Sequence, residues 1–161
     1  KGCLYFGLMI TPNGPKVIEY NCRFGDPETQ VVLPLLKTDL LEIFEAVYEE
    51  RLSEIKIEWK DESAACVVMA SGGYPQKYST GFEISGLDEK GQVEGAFVYH
   101  AGTKFSQGKF LTSGGRVLGV TSTGKSLEKA LESAYKALGA IAFEGMHYRK
   151  DIGQRALKAC K

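Results

Sequence analysis

No apolar run in this chain approaches the ~18 residues that a membrane-spanning helix needs, and no signal-peptide pattern opens it. The protein is therefore expected to be soluble, with no membrane partner. Net charge is missing too: 20 Lys and Arg balance 20 Asp and Glu over 161 residues. No global field would gather nucleic acid or an anionic membrane, although a local cluster is still free to bind an anion. Cysteine is scarce and scattered. Cys3, Cys22, Cys66 and Cys160 show no C-x-x-C spacing and no histidine-rich surroundings, which argues against structural zinc. A secreted disulfide scaffold would be shorter and denser in cysteine, so reduced thiols in the cytoplasm are expected. Cys3 and Cys66 lie in apolar runs and read as buried small hydrophobes. The two histidines, His100 and His147, have no partner at metal spacing and read as structural or solvent-facing. There is no internal repeat and no low-complexity tract. The first residue is Lys1 rather than methionine, and a strand pattern begins almost at once. An excised or proteolysed piece of a longer protein is expected.

What is present is an ordinary globular composition, 43% hydrophobic and 25% charged, enough for one good core or two small ones. Cys3 to Ile10 reads as a strand, Thr11-Pro12-Asn13-Gly14-Pro15 as a turn, and Lys16 to Asn21 as an antiparallel partner strand. A helix is expected from Pro27 to Leu36, ended or kinked by Pro34. A second begins near Asp39, where Asp39 and Glu42 make a capping box, and Leu40, Ile43, Phe44, Val47 and Leu52 recur at helical spacing. Around Ile55 to Glu62 the pattern turns to short charged alternation, which sets a domain boundary near residue 60. Beyond it, short strands are expected at Ala64 to Ala70, Gly81 to Ile84, Gly95 to His100, Lys109 to Leu111 and Arg116 to Thr121. An amphipathic helix then follows Ser126, with Leu127, Ala130, Leu131, Ala134, Tyr135, Leu138 and Ile141 on one stripe. The fold class is α+β, ending in a small antiparallel sheet or barrel with a packed helix.

The densest chemistry lies in KVIEYNCRFGDPETQ, Lys16 to Gln30. Residues two apart on a strand share a face, so Glu19 and Asn21 project together while Ile18 and Tyr20 enter a core on the other side. A carboxylate beside an amide carbonyl offers hard oxygen ligands, suited to Mg2+ or Mn2+ rather than zinc. Arg23 falls on the same parity if the strand persists, and would supply a planar cation for carboxylate or phosphate. Asp26 would cap a helix that Pro27 begins, with Glu28 in its first turn. On spacing alone, most pairs like Glu19 and Asn21 are simply an exposed strand face. Arg23 and the Gly25-Asp26-Pro27-Glu28 turn are what lift it toward an anion-handling site.

The segment EYNCRFGDPETQ resembles the signature of the phosphoribosylamine–glycine ligase (glycinamide ribonucleotide synthetase) family, ATP-grasp enzymes of purine synthesis, and Arg23 to Gln30 follows it without departure. Further matches are SGGYP at Ser71 to Pro75, HAGT at His100 to Thr103, SGGRVLGVT at Ser113 to Thr121 and YRKDIGQRA at Tyr148 to Ala156. The resemblance covers nearly the whole chain, but only the C-terminal part of the family's enzyme. It implies the last hairpin and helices of an ATP-grasp domain over residues 1–60, then the family's C-terminal β-rich domain over 61–161. It implies ligation of glycine to 5-phosphoribosylamine with ATP as co-substrate, through a glycyl phosphate. Glu19 and Asn21 match the family's metal-ligand positions, and Arg23 would stabilise the acyl phosphate or its transition state. Gly25, Asp26, Pro27 and Glu28 would place glycine or phosphoribosylamine. The upstream part of the same enzyme is the implied missing partner, and the fragment alone is expected to be inactive.

Gly119 to Ser126, GVTSTGKS, matches the phosphate-loop pattern G-x-x-x-x-G-K-[ST] literally, between an apolar strand and a helix. It would make a P-loop hydrolase using Lys125 and Ser126. Against this, β-branched Val120, Thr121 and Thr123 favour a continuing strand, and neither a magnesium-binding Asp after an apolar strand nor repeated βαβ units is evident. Ser71-Gly72-Gly73 and Ser113-Gly114-Gly115-Arg116 read as small-residue turns at positive φ, or as backbone amides that, with Arg116, approach a phosphate. Tyr148 to Lys150 with Arg155 reads as a solvated basic face or an interdomain contact. A non-catalytic binding module, with Glu19 merely on the surface, is the remaining alternative.

Overall fold

Pro12 and Asn13 form the two-residue turn of the first hairpin, one residue earlier than an Asn13-Gly14 turn would lie: Gly14 already pairs with Thr11 and takes a φ of +88° just after the turn. The computed structural model describes residues 1–159; Cys160 lies outside the described residues. Strands β1 (Tyr5–Thr11) and β2 (Gly14–Asn21) pair antiparallel, with Tyr5 opposite Asn21, Phe6 opposite Tyr20 and Gly7 opposite Glu19. The register then shifts so that Leu8 faces Val17, and Ile18 is left without a partner. Phe6 and Tyr20 meet edge to face, 5.2 Å between ring centroids. Ile18 and Tyr20 do not enter a core, for they are 63% and 59% exposed.

The expected helix after Pro27 is shorter and later. Helix α1 (Thr29–Val32) starts after Glu28 and runs into a 3₁₀ turn, Leu33–Leu35, that carries Pro34 in its first turn. Helix α2 (Leu40–Tyr48) begins where expected, Asp39 Oδ1 accepting from the Leu41 N–H at 2.7 Å. Its apolar stripe of Ile43, Phe44 and Val47 lines a groove of about 480 Å³ together with Phe24, Leu36 and Trp59. That groove is open, not a core. Among the described residues of Lys1–Lys60, Ala46 is the one buried hydrophobic. Phe44 and Trp59 are about half exposed.

A second compact unit, Asp61–Lys161, is distinct from the first, Lys1–Lys60. It holds β3 (Ser63–Ala70), β4 (Phe97–His100), β5 (Thr103–Ser106), β6 (Lys109–Thr112), β7 (Arg116–Gly124), α3 (Leu127–Leu138), β8 (His147–Tyr148) and α4 (Gln154–Ala159). The main sheet has order β4-β7-β3-β8 and is antiparallel throughout, an open sheet rather than a barrel. Strands β5 and β6 form a separate hairpin. The stretch from Gly81 to Ile84 is not a full strand: it lies along β6 through an isolated bridge, Glu83 to Leu111, and backbone bonds such as the Ile84 N–H to the Phe110 carbonyl at 2.8 Å. Strand β5 and the two-residue β8 had no periodic signal, since each is too short to show one.

Burial alternates along β3, where Ala65, Val67 and Met69 are buried. The core of Val67 and Met69 continues through Val120 of β7, Val98 of β4, and Ala134 and Leu138 of α3, while Ala65 packs with Ala130 and Leu131 of α3. Ser126 caps α3, accepting from the Lys129 N–H, and Ile141 reaches the core from just beyond the helix rather than on it. Cys3 and Cys66 prove half-buried rather than core. Leu138 is 1% exposed inside this core. Leu138→Ala should therefore cost about 2–5 kcal/mol in urea unfolding, whereas Ile10→Ala on the open ribbon should stay within about 0.5 kcal/mol.

Candidate functional site

The hairpin gives the Glu19–Asn21 doublet its geometry. Both residues lie on β2 with one residue between them, and Asn21 Nδ2 donates to Glu19 Oε1 at 3.0 Å. The two side chains therefore share one face, as their spacing requires. Across the ribbon, the same face carries Tyr5 opposite Asn21 and Gly7 opposite Glu19. Burial, then the charges of Glu28 and Glu19, push the Tyr5 phenol above its usual range, so it stays a neutral hydrogen-bond donor. The donor set is a carboxylate and an amide carbonyl, hard oxygens that suit Mg2+ or Mn2+. Among the described residues there is no cluster of three or more His, Cys, Asp or Glu side chains that would hold a metal unaided. Two protein oxygens fit a cation whose remaining ligands come from phosphates and water, the usual way Mg2+ is held.

The strand does not persist to Arg23, so the parity that would bring it onto the face of Glu19 and Asn21 does not apply. β2 ends at Asn21, and Arg23 lies beyond it, exposed, its Nη1 donating to the Phe24 carbonyl at 2.8 Å. The guanidinium remains at the mouth of the hairpin, but the strand does not aim it. Asp26 does not cap a helix: Glu28 occupies the cap position of α1 without a side-chain bond, and Asp26 Oδ1 instead accepts from Gln30 Nε2 at 2.8 Å. Pro27 lies outside the helix. Gly25 is buried, and its carbonyl accepts from both the Thr29 N–H, at 3.1 Å, and the Thr29 hydroxyl. A methyl group on Gly25 would stand 2.5 Å from Glu28 Oε2, so the Glu28 carboxylate folds over this glycine. The Gly25–Glu28 turn is thus a tight self-contained knot.

In the second unit, three separated motifs meet. The Ser71 N–H donates to the Gly115 carbonyl and its hydroxyl to the Gly114 carbonyl, each at 2.8 Å. A methyl on Gly102 would come within 2.6 Å of the Gly114 α-carbon, and Gly115 leaves room for the Tyr74 ring. Of the glycines in these two turns only Gly73, at φ +95°, needs a left-handed backbone; the others are required by close approach. Arg116 opens β7 beside this junction and is exposed. His100 is structural: its two ring nitrogens contact Thr103 Oγ1 at 3.0 Å and the Gly91 carbonyl at 2.9 Å. The basic cluster near Tyr148 is partly self-neutralised, with Arg149 forked onto Asp151 at 3.0 and 2.8 Å. Hydrogen bonding to Arg149 holds the Asp151 carboxyl below its usual range.

The phosphate-loop lookalike is a strand. Gly119 to Gly124 belong to β7 and pair residue by residue with β3, from Val68 opposite Gly119 to Ser63 opposite Gly124. A backbone pinned in a sheet ladder cannot wrap a phosphate, and Ser126 is occupied as the α3 cap. Sequence reading passed over Tyr5 and Gly7. The usable signal was a glycine inside an otherwise apolar strand, which marks a close approach.

The chain matches the family described as phosphoribosylglycinamide synthetase, C domain, over residues 64–155, and the ATP-grasp (A) domain of the same synthetase over residues 1–29. It is 59% identical over 152 residues to the phosphoribosylamine–glycine ligase of Caldanaerobacter subterraneus subsp. tengcongensis, covering 94% of this chain and 36% of that protein. It is 53% identical over 157 residues to the human trifunctional purine biosynthetic protein adenosine-3, covering 97% of this chain and 15% of that protein. The crystal structure of the Thermotoga maritima phosphoribosylamine–glycine ligase superposes with a TM-score of 0.72 at 37% identity, covering 92% of this chain and 36% of that one. Lys125→Ala should leave ATP affinity of a chain carrying the preceding segment within about twofold of the parent by calorimetry, whereas a phosphate-loop lysine would lose far more.

Proposed function

This chain belongs to the phosphoribosylglycinamide synthetase family, and from that membership we propose that it is the C-terminal portion of an ATP-dependent carbon–nitrogen ligase joining glycine to 5-phosphoribosylamine in purine biosynthesis. The chain spans just over a third of the bacterial ligases it matches, so the complete activity belongs to a longer polypeptide. Residues 1–60 form the end of its ATP-grasp domain and 61–161 its C-terminal β-rich domain. The setting is the cytoplasm; no described helix is long and apolar enough to cross a membrane.

The observation that best supports this reading is the Glu19–Asn21 pair, two oxygen-bearing side chains 3.0 Å apart on one face of a hydrogen-bonded ribbon. In the proposed reaction, a glycine carboxylate oxygen attacks the γ-phosphorus of ATP and ADP leaves, giving glycyl phosphate. The amine of phosphoribosylamine then attacks the acyl carbon, loses a proton and expels phosphate. Both steps depend on alignment and charge neutralisation more than on a covalent protein intermediate. Glu19 and Asn21 would hold a divalent cation, Mg2+ or Mn2+, which when bound neutralises phosphate charge. Arg23 supplies a positive charge to the acyl phosphate as it forms; its bond from Nη1 to the Phe24 carbonyl leaves its Nη2 and Nε donors for phosphate oxygens. Gly25, Asp26, Pro27 and Glu28 present a compact turn against glycine or phosphoribosylamine. Arg116, at the glycine junction of the second unit, is assigned to substrate phosphate.

The open groove around Phe44 and Trp59 is assigned to the preceding part of the same polypeptide, which completes the ATP-grasp domain. In a full-length ligase, Phe44→Ala should cost about 3–5 kcal/mol, a core-sized loss that exposure in the isolated chain would not give. Glu19→Ala in that protein should lower metal-dependent glycinamide ribonucleotide formation by at least about 100-fold. A near-normal rate would remove the metal assignment. The isolated 161-residue chain, assayed with glycine, phosphoribosylamine and ATP, should show no turnover; robust activity would overturn the proposal that upstream sequence is required.

A further inference from the structure

We propose that Gly7 is a positioning residue for the metal-binding doublet: the side chain it lacks leaves the space in which the Glu19 side chain lies, and so sets where that carboxylate stands. This rests on the reading of Glu19 as a ligand. Gly7 is the direct cross-strand partner of Glu19. A Cβ built on it would stand 3.0 Å from Glu19 Cγ, 3.5 Å from the Glu19 carbonyl oxygen and 3.6 Å from its nitrogen. The tight contact is therefore with the side chain that carries the ligand, while the backbone contacts are ordinary van der Waals distances.

Two other reasons for a glycine here fail. Gly7 is not among the glycines with positive φ, so any residue can take up its backbone conformation. The adjoining register shift leaves Ile18 as the extra residue, on the opposite strand, so Gly7 is not the bulged position. What remains is the approach of Glu19. Its flank on the same face is closed by Tyr5, opposite Asn21, whose phenol lies in the field of Glu19. A methyl at Gly7 would be absorbed by rotation of a flexible glutamate. The fold would hardly notice; the position of the carboxylate would.

The test is a double-mutant cycle in a full-length ligase of this family carrying these residues. It reads binding of Mn2+ by electron paramagnetic resonance in the presence of a non-hydrolysable ATP analogue, and not turnover. Gly7→Ala should weaken Mn2+ binding about tenfold, as loss of a supporting contact to a ligand does. Its melting temperature should stay within about 2 °C of the parent. Gly7→Ala combined with Glu19→Gln should bind no more weakly than Glu19→Gln alone, since Gly7 acts through Glu19. Parent-like Mn2+ affinity in Gly7→Ala, with Glu19→Gln weakened, would overturn the role of Gly7 and leave the doublet standing. Losses that add in full would mean general damage to the hairpin, and would overturn it as well. Parent-like affinity in Glu19→Gln would remove the doublet itself.

Discussion

The two-residue repeat of an antiparallel ribbon is the constraint on which the site depends. Because side chains alternate across a strand, one intervening residue is enough to bring Glu19 and Asn21 onto a common face. Pairing with β1 then holds that face in register against Tyr5 and Gly7. A slip of one residue would turn both oxygens to the other side. The hydrogen-bond ladder, closed by the Pro12-Asn13 turn, prevents that slip.

The two units differ in how completely they satisfy their own apolar surface. Asp61–Lys161 wraps Val67, Met69, Val120 and Leu138 in a closed core, with α3 laid across β3 and β7. Lys1–Lys60 keeps its local hydrogen bonds but leaves Phe44, Trp59 and both faces of its ribbon open. A ribbon and two short helices cannot bury apolar surface on every side. The proposed ATP-grasp assignment gives that surface a use, as the part of a larger domain against which the preceding chain packs.

Close approach, more than backbone freedom, explains the glycines that matter. Gly102, Gly114 and Gly115 let three loops of the second unit lie in contact where no β-carbon fits. At Gly7 the approach is milder, a β-carbon there standing 3.0 Å from Glu19 Cγ, so that it is the side chain of Glu19 and not the fold that would have to give. A glycine read only as a turn former would place the first three correctly on loops and still miss why they are there.

Local chemistry was legible residue by residue. The hairpin of β1 and β2, the Asp39 cap, the start of α3 after Ser126 and the parity of Glu19 with Asn21 each depend on neighbours within a few positions. The motif at Gly119 was also resolved in advance, because β-branched residues resist a tight loop. The failures were of longer reach. The displaced start of α1, the register shift at Ile18 and the exposure of Tyr20 follow from pairing and packing partners distant in the sequence or beyond these residues. Periodicity decides which side chains share a face, because that is set by the geometry of a single strand. Only tertiary structure decides what that face meets, because burial and close approach are properties of two surfaces and not of one.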